Sequence, residues 1–110
     1  MGYGYYSEIY FAIHLEDEKM MKIGETTNGR RRQNQLNKED YYITRCFDVE
    51  GGEAARLFVE SYLRMKLLKT NRVAQLRKDY FMCDCLETRK EFQDCFYSWV
   101  KEAHEILKRM

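Results

Sequence analysis

The stretch from Ile9 to Arg32 reads IYFAIHLEDEKMMKIGETTNGRRR. Residues 9–15 and 20–24 alternate between apolar and other side chains, which is the periodicity of a strand with one buried face. The polar segment Glu16–Lys19 separates the two runs, so we predict a β-hairpin. The buried face of this hairpin is predicted to carry Ile9, Phe11, Ile13, Leu15, Met21 and Ile23.

The opposite face of the predicted hairpin brings Tyr10 and Lys22 close together. A Thr-Thr-Asn segment follows the second strand, and these side chains are of the types that cap helix N-termini. A basic helix is predicted next, over residues 29–37, with Arg32 and Leu36 on one face because they are four residues apart. The stretch is therefore either an ordinary hairpin that leads into a basic helix, or half of a site that handles phosphate.

Strands and helices alternate along the rest of the chain in the order β-β-α-β-α-β-α. A run rich in Tyr, Ile and Phe predicts a third strand, a Gly-Gly pair ends it, and two later segments have helical periodicity. We predict an α+β domain with a small three- to four-stranded, mainly antiparallel sheet flanked by helices. The later elements are a strand at 41–49, a helix at 53–69, a polar connection at 70–78, a strand at 79–83 and a helix at 86–109.

Both long helices carry apolar stripes that are predicted to face the core. The stripe of the helix at 53–69 consists of Ala54, Leu57, Phe58, Ser61, Met65 and Leu68. The stripe of the last helix consists of Phe92, Phe96, Trp99, Val100, Ala103, Ile106 and Leu107.

A length of 110 residues, with 45% of them apolar, suits one domain over 1–110 with one core. No apolar run approaches the roughly 20 residues of a membrane span, and the N-terminus has no signal-peptide pattern. We therefore expect a cytoplasmic protein without a membrane partner. The four cysteines lack the paired spacing of zinc sites, so we interpret them as free thiols that serve as small buried hydrophobes.

Positive charge is concentrated in the middle of the chain, although the net charge of the whole is only +1. Residues 29–78 contain 12 Lys and Arg against six Asp and Glu, which leaves +6. A basic segment favours a phosphate-bearing partner, and a solvated surface explains it equally well.

The hairpin and the basic helix together resemble the GIY-YIG nuclease superfamily. Its two half-motifs are similar to Glu8-Ile9-Tyr10 and Lys22-Ile23-Gly24 in this chain. The K-I-G form looks like a phage and bacterial branch that is described as a DNA-binding domain. The resemblance covers residues 9–82 and leaves the helix at 86–109 outside. It continues through Thr26, Arg31-Arg32, Leu36, Glu60-Ser61-Tyr62-Leu63-Arg64 and Lys78-Asp79-Tyr80-Phe81.

The resemblance implies a catalytic site made of Tyr10, Lys22, Arg32 and Glu60. Tyr10 would deprotonate or position the attacking water, and a phenol with a pKa of about 10 needs a cation such as Lys22 to favour its ionised form. Arg32 would hold a phosphate oxygen, and Glu60 would bind one Mg²⁺ or Mn²⁺. DNA is the expected partner, with RNA as the alternative. The predicted nucleic-acid contacts are Arg30, Arg31, Arg32 and Arg64, and Arg31 replaces Arg32 in the site if the helix register is shifted by one.

The same residues also have structural interpretations. Tyr10 and Lys22 would then be an ordinary ring on the sheet and a solvated strand residue, and the arginines would be a hydrated helix end. Glu60 lies four residues from both Arg56 and Arg64, a spacing at which surface ion pairs form.

Departures from the superfamily pattern keep three functions open. Lys22 stands where a second tyrosine is usual, and Leu36 and Arg64 stand where histidines are common. The leading interpretation is a nucleic-acid-binding domain with metal-dependent endonuclease activity. The first alternative is a catalytically inactive DNA-binding module. The second is a protein-interaction domain or homodimer, with a contact surface on the aromatic last helix and on Tyr3, Tyr5 and Tyr6.

Overall fold

The computed structural model describes residues 7–27 and 29–110, and it confirms the α+β class. Tyr3, Tyr5, Tyr6 and the cap candidate Asn28 lie outside the described residues. No helix in the described ranges has both the length and the apolar composition needed to cross a membrane. The strands are β1 (Ser7–His14), β2 (Met20–Thr26), β3 (Tyr41–Val49), β4 (Val73–Arg77) and β5 (Tyr80–Cys83), and the helices are α1 (Gly29–Leu36), α2 (Gly52–Lys69) and α3 (Leu86–Lys108).

All five strands form one antiparallel sheet in the order β3-β1-β2-β5-β4. The predicted hairpin is confirmed, with Tyr10 opposite Gly24 and Ala12 opposite Lys22. The prediction of a polar connection at 70–78 is wrong, because this segment contains the strand β4. With β4 the sheet has five strands, whereas the sequence predicted three or four. Among the described strands, β4 pairs only with β5. An edge strand that is exposed along most of its length needs no apolar alternation, so its sequence resembles a loop.

The main core lies between one face of the sheet and the helices α2 and α3. The predicted hairpin face is buried there, except for Leu15, which is 61% exposed because β1 ends one residue earlier. The apolar stripe predicted for α3 also faces this core, where Phe92, Phe96, Val100 and Ala103 are buried. Tyr97 of this helix is exposed. The core comprises Ile9, Phe11, Ile13, Met21, Ile23, Val49, Ala55, Val59, Leu63, Leu67, Phe81, Cys83, Phe92, Phe96, Val100 and Ala103.

The prediction of which face of α2 packs on the core is wrong. The buried face is rotated from the predicted one by about one residue position. Leu57, Met65 and Leu68 are 48%, 47% and 37% exposed, respectively. The buried residues of α2 are instead spaced strictly by four, and they are Ala55, Val59, Leu63 and Leu67. The helix carries apolar residues on two neighbouring faces, so periodicity alone could not select the face that packs. The observed rotation turns the residues that follow Ala55 and Val59, namely Arg56 and Glu60, to the rim of the core.

A smaller core lies on the opposite face of the sheet, beneath α1. It consists of Tyr10, Ala12, Leu36 and Tyr41, all of them buried. Two hydrogen bonds of the Gln33 side chain hold α1 against β3. The side chain donates one to the Tyr41 carbonyl (3.0 Å) and accepts the other from the Ile43 amide (2.6 Å). The helix with the three arginines is therefore held on the same face as Tyr10.

The four cysteines are free thiols, as expected. Cys83 is buried, where burial raises the pKa of its thiol to about 12. Cys46 and Cys85 are exposed, so their interpretation as buried hydrophobes is wrong. Cys46 lies on the edge strand β3, and Cys85 lies in the connection between β5 and α3. The hydrophobicity of a single residue does not reveal such positions.

Leu63→Ala should lower the free energy of unfolding by about 2–5 kcal/mol, because it leaves a cavity in the core. Leu68→Ala removes the same atoms from the same helix at an exposed position, and should cost less than about 1 kcal/mol. Urea unfolding of both variants, followed by circular dichroism, compares them. Equal losses would contradict the observed rotation of α2.

Candidate active site

The ring of Tyr10 lies over the backbone of Gly24 on the neighbouring strand. A Cβ atom placed on Gly24 would lie 2.3 Å from the Tyr10 hydroxyl oxygen and 2.4 Å from its Cζ. No other residue type leaves room for the ring at this position. The ring is 2% exposed, and its hydroxyl extends across β2 instead of into solvent.

Lys22, two residues before Gly24, is a fixed cation and not a solvated strand residue. Its side chain is only 11% exposed, and its Nζ lies 3.7 Å from Oε2 of Glu39 and 4.7 Å from the centre of the Tyr80 ring. The positive charge of Lys22 also acts on the Tyr10 hydroxyl, where it lowers the pKa. Glu39 in turn accepts a hydrogen bond from the Tyr80 hydroxyl. Burial, together with this carboxylate, raises the pKa of Tyr80 to about 12.

The protonation state of Tyr10 differs from the one that the sequence suggested. Burial raises the pKa of Tyr10 above its ordinary value, and the positive charges of Lys22 and Arg32 oppose this rise without cancelling it. Lys22 thus acts in the expected direction, but desolvation is the larger effect. At neutral pH Tyr10 is a phenol that can donate and accept hydrogen bonds.

A gap in the sheet lies beside Gly24. β2 pairs with β5 only over Met20–Lys22, and the Ile23 amide then donates to the Asp79 carbonyl (3.0 Å). Beyond that point the described strands give β2 no further partner on this side. Side chains from both faces of the sheet meet here in a cleft of about 250 Å³. Its lining residues are Tyr10, Lys22, Glu25, Arg32, Arg56, Leu57, Glu60, Lys78 and Asp79.

The cleft contains all four residues that the sequence proposed as catalytic. Tyr10 comes from β1, Lys22 from β2, Arg32 from α1 and Glu60 from α2. The geometry therefore brings the four together, and it leaves their chemical roles as predictions.

The other proposed nucleic-acid contacts are distributed around this cleft. Arg31 lines an adjoining cleft, and Arg30 is exposed outside both. Arg64 forms an ion pair with Asp79 (Nη2 to Oδ1, 3.6 Å) at the wall of the cleft. Arg31 and Arg32 are thus the members of the set that face the clefts directly.

Glu60 differs from Glu25 and Asp79, the other two acids of the cleft, in its electrostatic surroundings. Arg56 pairs with Glu25 (3.3 Å) and Arg64 pairs with Asp79 (3.6 Å), so the ion pairs expected between these arginines and Glu60 do not form in the described part of the chain. Burial raises the pKa of Glu60, the charges of Asp79 and Glu25 add to the rise, and the two arginines oppose it. The cleft therefore holds one carboxylate whose charge is poorly compensated.

Three guanidinium groups around the cleft have a buried Nε without a hydrogen-bond partner among the described residues, namely those of Arg32, Arg56 and Arg64. An unpaired buried N–H costs free energy, and an anionic oxygen bound in the cleft would remove that cost. Arg56 and Arg64 already pair with carboxylates, whereas Arg32 has no ion pair in residues 7–27 and 29–110. Arg32 is therefore the best placed of the three to bind an anion.

The oxygen donors of the cleft fit one hydrated divalent cation. Mg²⁺ prefers oxygen ligands, keeps several waters, and is often held by one or two carboxylates together with substrate phosphate. Glu60 supplies a carboxylate whose charge is only partly compensated, and Asp79 and Glu25 are near enough to raise its pKa. No group of three or more His, Cys, Asp or Glu in the described ranges is arranged to hold a metal by itself. A cation bound here would depend on Glu60, water and phosphate.

Several lining residues were not singled out by the sequence. The i,i+4 spacing puts Arg56 and Glu60 on one side of α2, but nothing local indicates that β2 loses its partner and opens the sheet there. Glu25 and Asp79 enter the cleft for the same reason. His14, which was left out of the proposed site, accepts hydrogen bonds from two amides of the hairpin turn (both 3.2 Å) and is structural.

Fold and cleft together define a small α+β domain with a basic, carboxylate-containing cleft at a gap in its sheet. Residues 7–110 match the T5orf172 domain, and the chain belongs to this family. The match includes α3, which the earlier resemblance left outside. T5orf172 is a phage-associated domain, and membership indicates a nucleic-acid-related role. Comparison with curated proteins and with solved structures returned no match.

Gly24→Ala should destabilise the protein by about 1–3 kcal/mol, because the added methyl group overlaps the Tyr10 ring. The same substitution in a Tyr10→Ala background should cost much less, since the obstructing ring is gone. Thermal unfolding of the two single variants and the double variant gives the coupling energy. Additive losses would show that the ring does not require glycine.

Glu60→Gln should raise the melting temperature at neutral pH in the presence of EDTA. The raised pKa means that the folded protein binds this proton more tightly than the unfolded chain, so ionised Glu60 lowers stability above that pKa. The advantage of the variant should disappear as the pH falls below the ordinary value of 4.5. Glu105→Gln, at an exposed position of α3, is the control. If Glu60→Gln made the protein less stable at neutral pH, the electrostatic interpretation would be refuted.

Proposed function

We propose that this protein binds nucleic acid, most readily DNA, in the cytoplasm and cleaves its phosphodiester bonds with one divalent cation. The convergence of Tyr10, Lys22, Arg32 and Glu60 on one cleft of about 250 Å³ carries this proposal. The family and the resemblance to GIY-YIG nucleases support the same chemistry. RNA is the alternative polymer, since none of the four side chains distinguishes the two.

Arg32 and Lys22 bind the phosphate in this mechanism. The planar guanidinium of Arg32 donates to a non-bridging oxygen, which gives its buried Nε the partner that it lacks. The ammonium group of Lys22 adds a second positive charge from β2. Both charges lie where negative charge grows as water attacks phosphorus, so they stabilise the transition state more than the ground state.

Tyr10 positions the water and Glu60 supplies the metal ligand. With its pKa raised by burial, Tyr10 is a neutral phenol that accepts a hydrogen bond from the attacking water. As the water oxygen bonds to phosphorus, its proton is lost to solvent. The bond from phosphorus to the leaving sugar oxygen breaks, and that oxygen takes a proton from solvent. Its fixed place over Gly24 provides the orientation that such a step needs. Glu60 would hold Mg²⁺ or Mn²⁺, which when bound polarises the phosphate as a Lewis acid.

A binding module without turnover is the second candidate, and two observations favour it. Lys22 is already paired with Glu39 at 3.7 Å, and the phenol of Tyr10 is a weak base. Such a module would bind nucleic acid with an affinity that falls steeply with salt and would leave the polymer intact.

Supercoiled plasmid should be nicked by the intact protein in Mg²⁺ or Mn²⁺ and not in EDTA. Arg32→Ala and Glu60→Gln should each lower the rate by roughly 100-fold or more, the scale expected for loss of a charge-stabilising group. Glu105→Gln replaces a remote glutamate of α3 and should retain the rate. Gel quantification of nicked circles measures each variant.

Three results separate the candidates. Unchanged nicking by Glu60→Gln would reject its role as the metal ligand. Salt-sensitive binding without nicking in any divalent metal would select the binding module. Absence of binding to both DNA and RNA would overturn the proposed function.

A further inference from the structure

A second cleft adjoins the proposed active site. It has a volume of about 310 Å³. Glu25 and Arg32 line both clefts, so the two lie side by side and share this wall. We call the pair of clefts the groove. The remaining lining residues of the second cleft are Thr26, Thr27, Arg31 and Gln35.

The lining of the second cleft consists entirely of polar side chains. Arg31 and Gln35 are four residues apart on α1, so they present one face to it. Both are exposed, so a ligand can reach them without displacing the core. Glu25 is the acidic member of the shared wall, and Arg56 neutralises it at 3.3 Å. The groove therefore favours an anion that also carries hydrogen-bonding groups.

We propose that the second cleft binds the nucleotide next to the one whose phosphate is attacked. This inference rests on the proposed function and specifies its substrate: a strand with at least two successive phosphates, cut internally. Arg32 in the shared wall contacts the phosphate in the active site, and Arg31 contacts the neighbouring one.

Gln35 contacts the base or sugar of that neighbouring nucleotide. Its amide carries both donors and an acceptor, which matches the mixed hydrogen-bonding edges of bases. The side chain of Gln35 lies one helical turn beyond Arg31 on the same face of α1. It is therefore a candidate for selecting the nucleotide beside the cut.

Two probes test the second cleft: thymidine 5′-monophosphate, which has one phosphate, and the trinucleotide pTpTpT. Gln35→Ala and Arg31→Ala should weaken binding of the trinucleotide by at least roughly fivefold and leave binding of the monophosphate unchanged. Arg32→Ala should weaken both. Titration calorimetry at fixed low salt, in Ca²⁺ to suppress cleavage, measures the affinities.

Matched controls isolate the groove. Asn34→Ala changes an exposed amide side chain beside Gln35 on α1, and Arg45→Ala removes an exposed charge from β3; both lie outside the two clefts. Neither should alter binding of either probe by more than about twofold. Arg31→Lys keeps the positive charge and loses the planar guanidinium that can donate two hydrogen bonds to a phosphate. Its affinity for the trinucleotide should therefore lie between those of the wild type and Arg31→Ala.

The outcomes distinguish this inference from the function on which it rests. Equal affinities of wild type, Gln35→Ala and Arg31→Ala for the trinucleotide would overturn the role proposed for the second cleft. Plasmid nicking would still support the proposed function. Equal losses for both probes would also overturn it, because the effect would then be general. Failure of the wild type to bind or nick any nucleic acid would overturn both.

Discussion

The Tyr10 ring packs directly on the bare backbone of Gly24, and this contact determines the geometry of the cleft. The two residues face each other across the hairpin, and the missing Cβ lets the ring cross β2. This packing fixes which residues of the hairpin face α1, buries the ring, and sets its hydroxyl beside Lys22. The pKa of Tyr10 follows from the same contact, since the burial that orients the phenol also disfavours its ionisation.

The second determinant is the point where β2 loses β5 as a neighbour. A continuous sheet would separate side chains of its two faces, and Glu60 on α2 could not approach Tyr10. Because the pairing ends at Lys22, acids and bases from both faces share one cleft. Arg56 and Arg64 form ion pairs with two of the acids there and compensate the charge of Glu60 only in part. The ionised carboxylate of Glu60 lowers the stability of the folded protein. Groups with perturbed pKa values and a cost in stability are common at functional sites.

Local patterns predicted the strands of the hairpin, β3, β5 and all three helices, because alternation and helical periodicity are local properties. The rotation of α2 could not be predicted, since Leu57 and Val59 are equally apolar and only packing on the sheet selects one of them. The strand β4 was missed because an exposed edge has no buried face to mark it. The four proposed site residues came from a motif, whereas Glu25 and Asp79 joined the cleft through a gap that only tertiary structure creates.

The order of the cleft residues along the chain has a consequence for the protein during its synthesis. The phenol, the amine and the guanidinium all lie within the first 32 residues, but the carboxylate comes only at Glu60 and the remaining wall at Lys78 and Asp79. A nascent chain therefore has no complete cleft until β5 has been made and has docked on β2. Any ligand that needs all of these side chains can therefore bind only after the whole domain has folded.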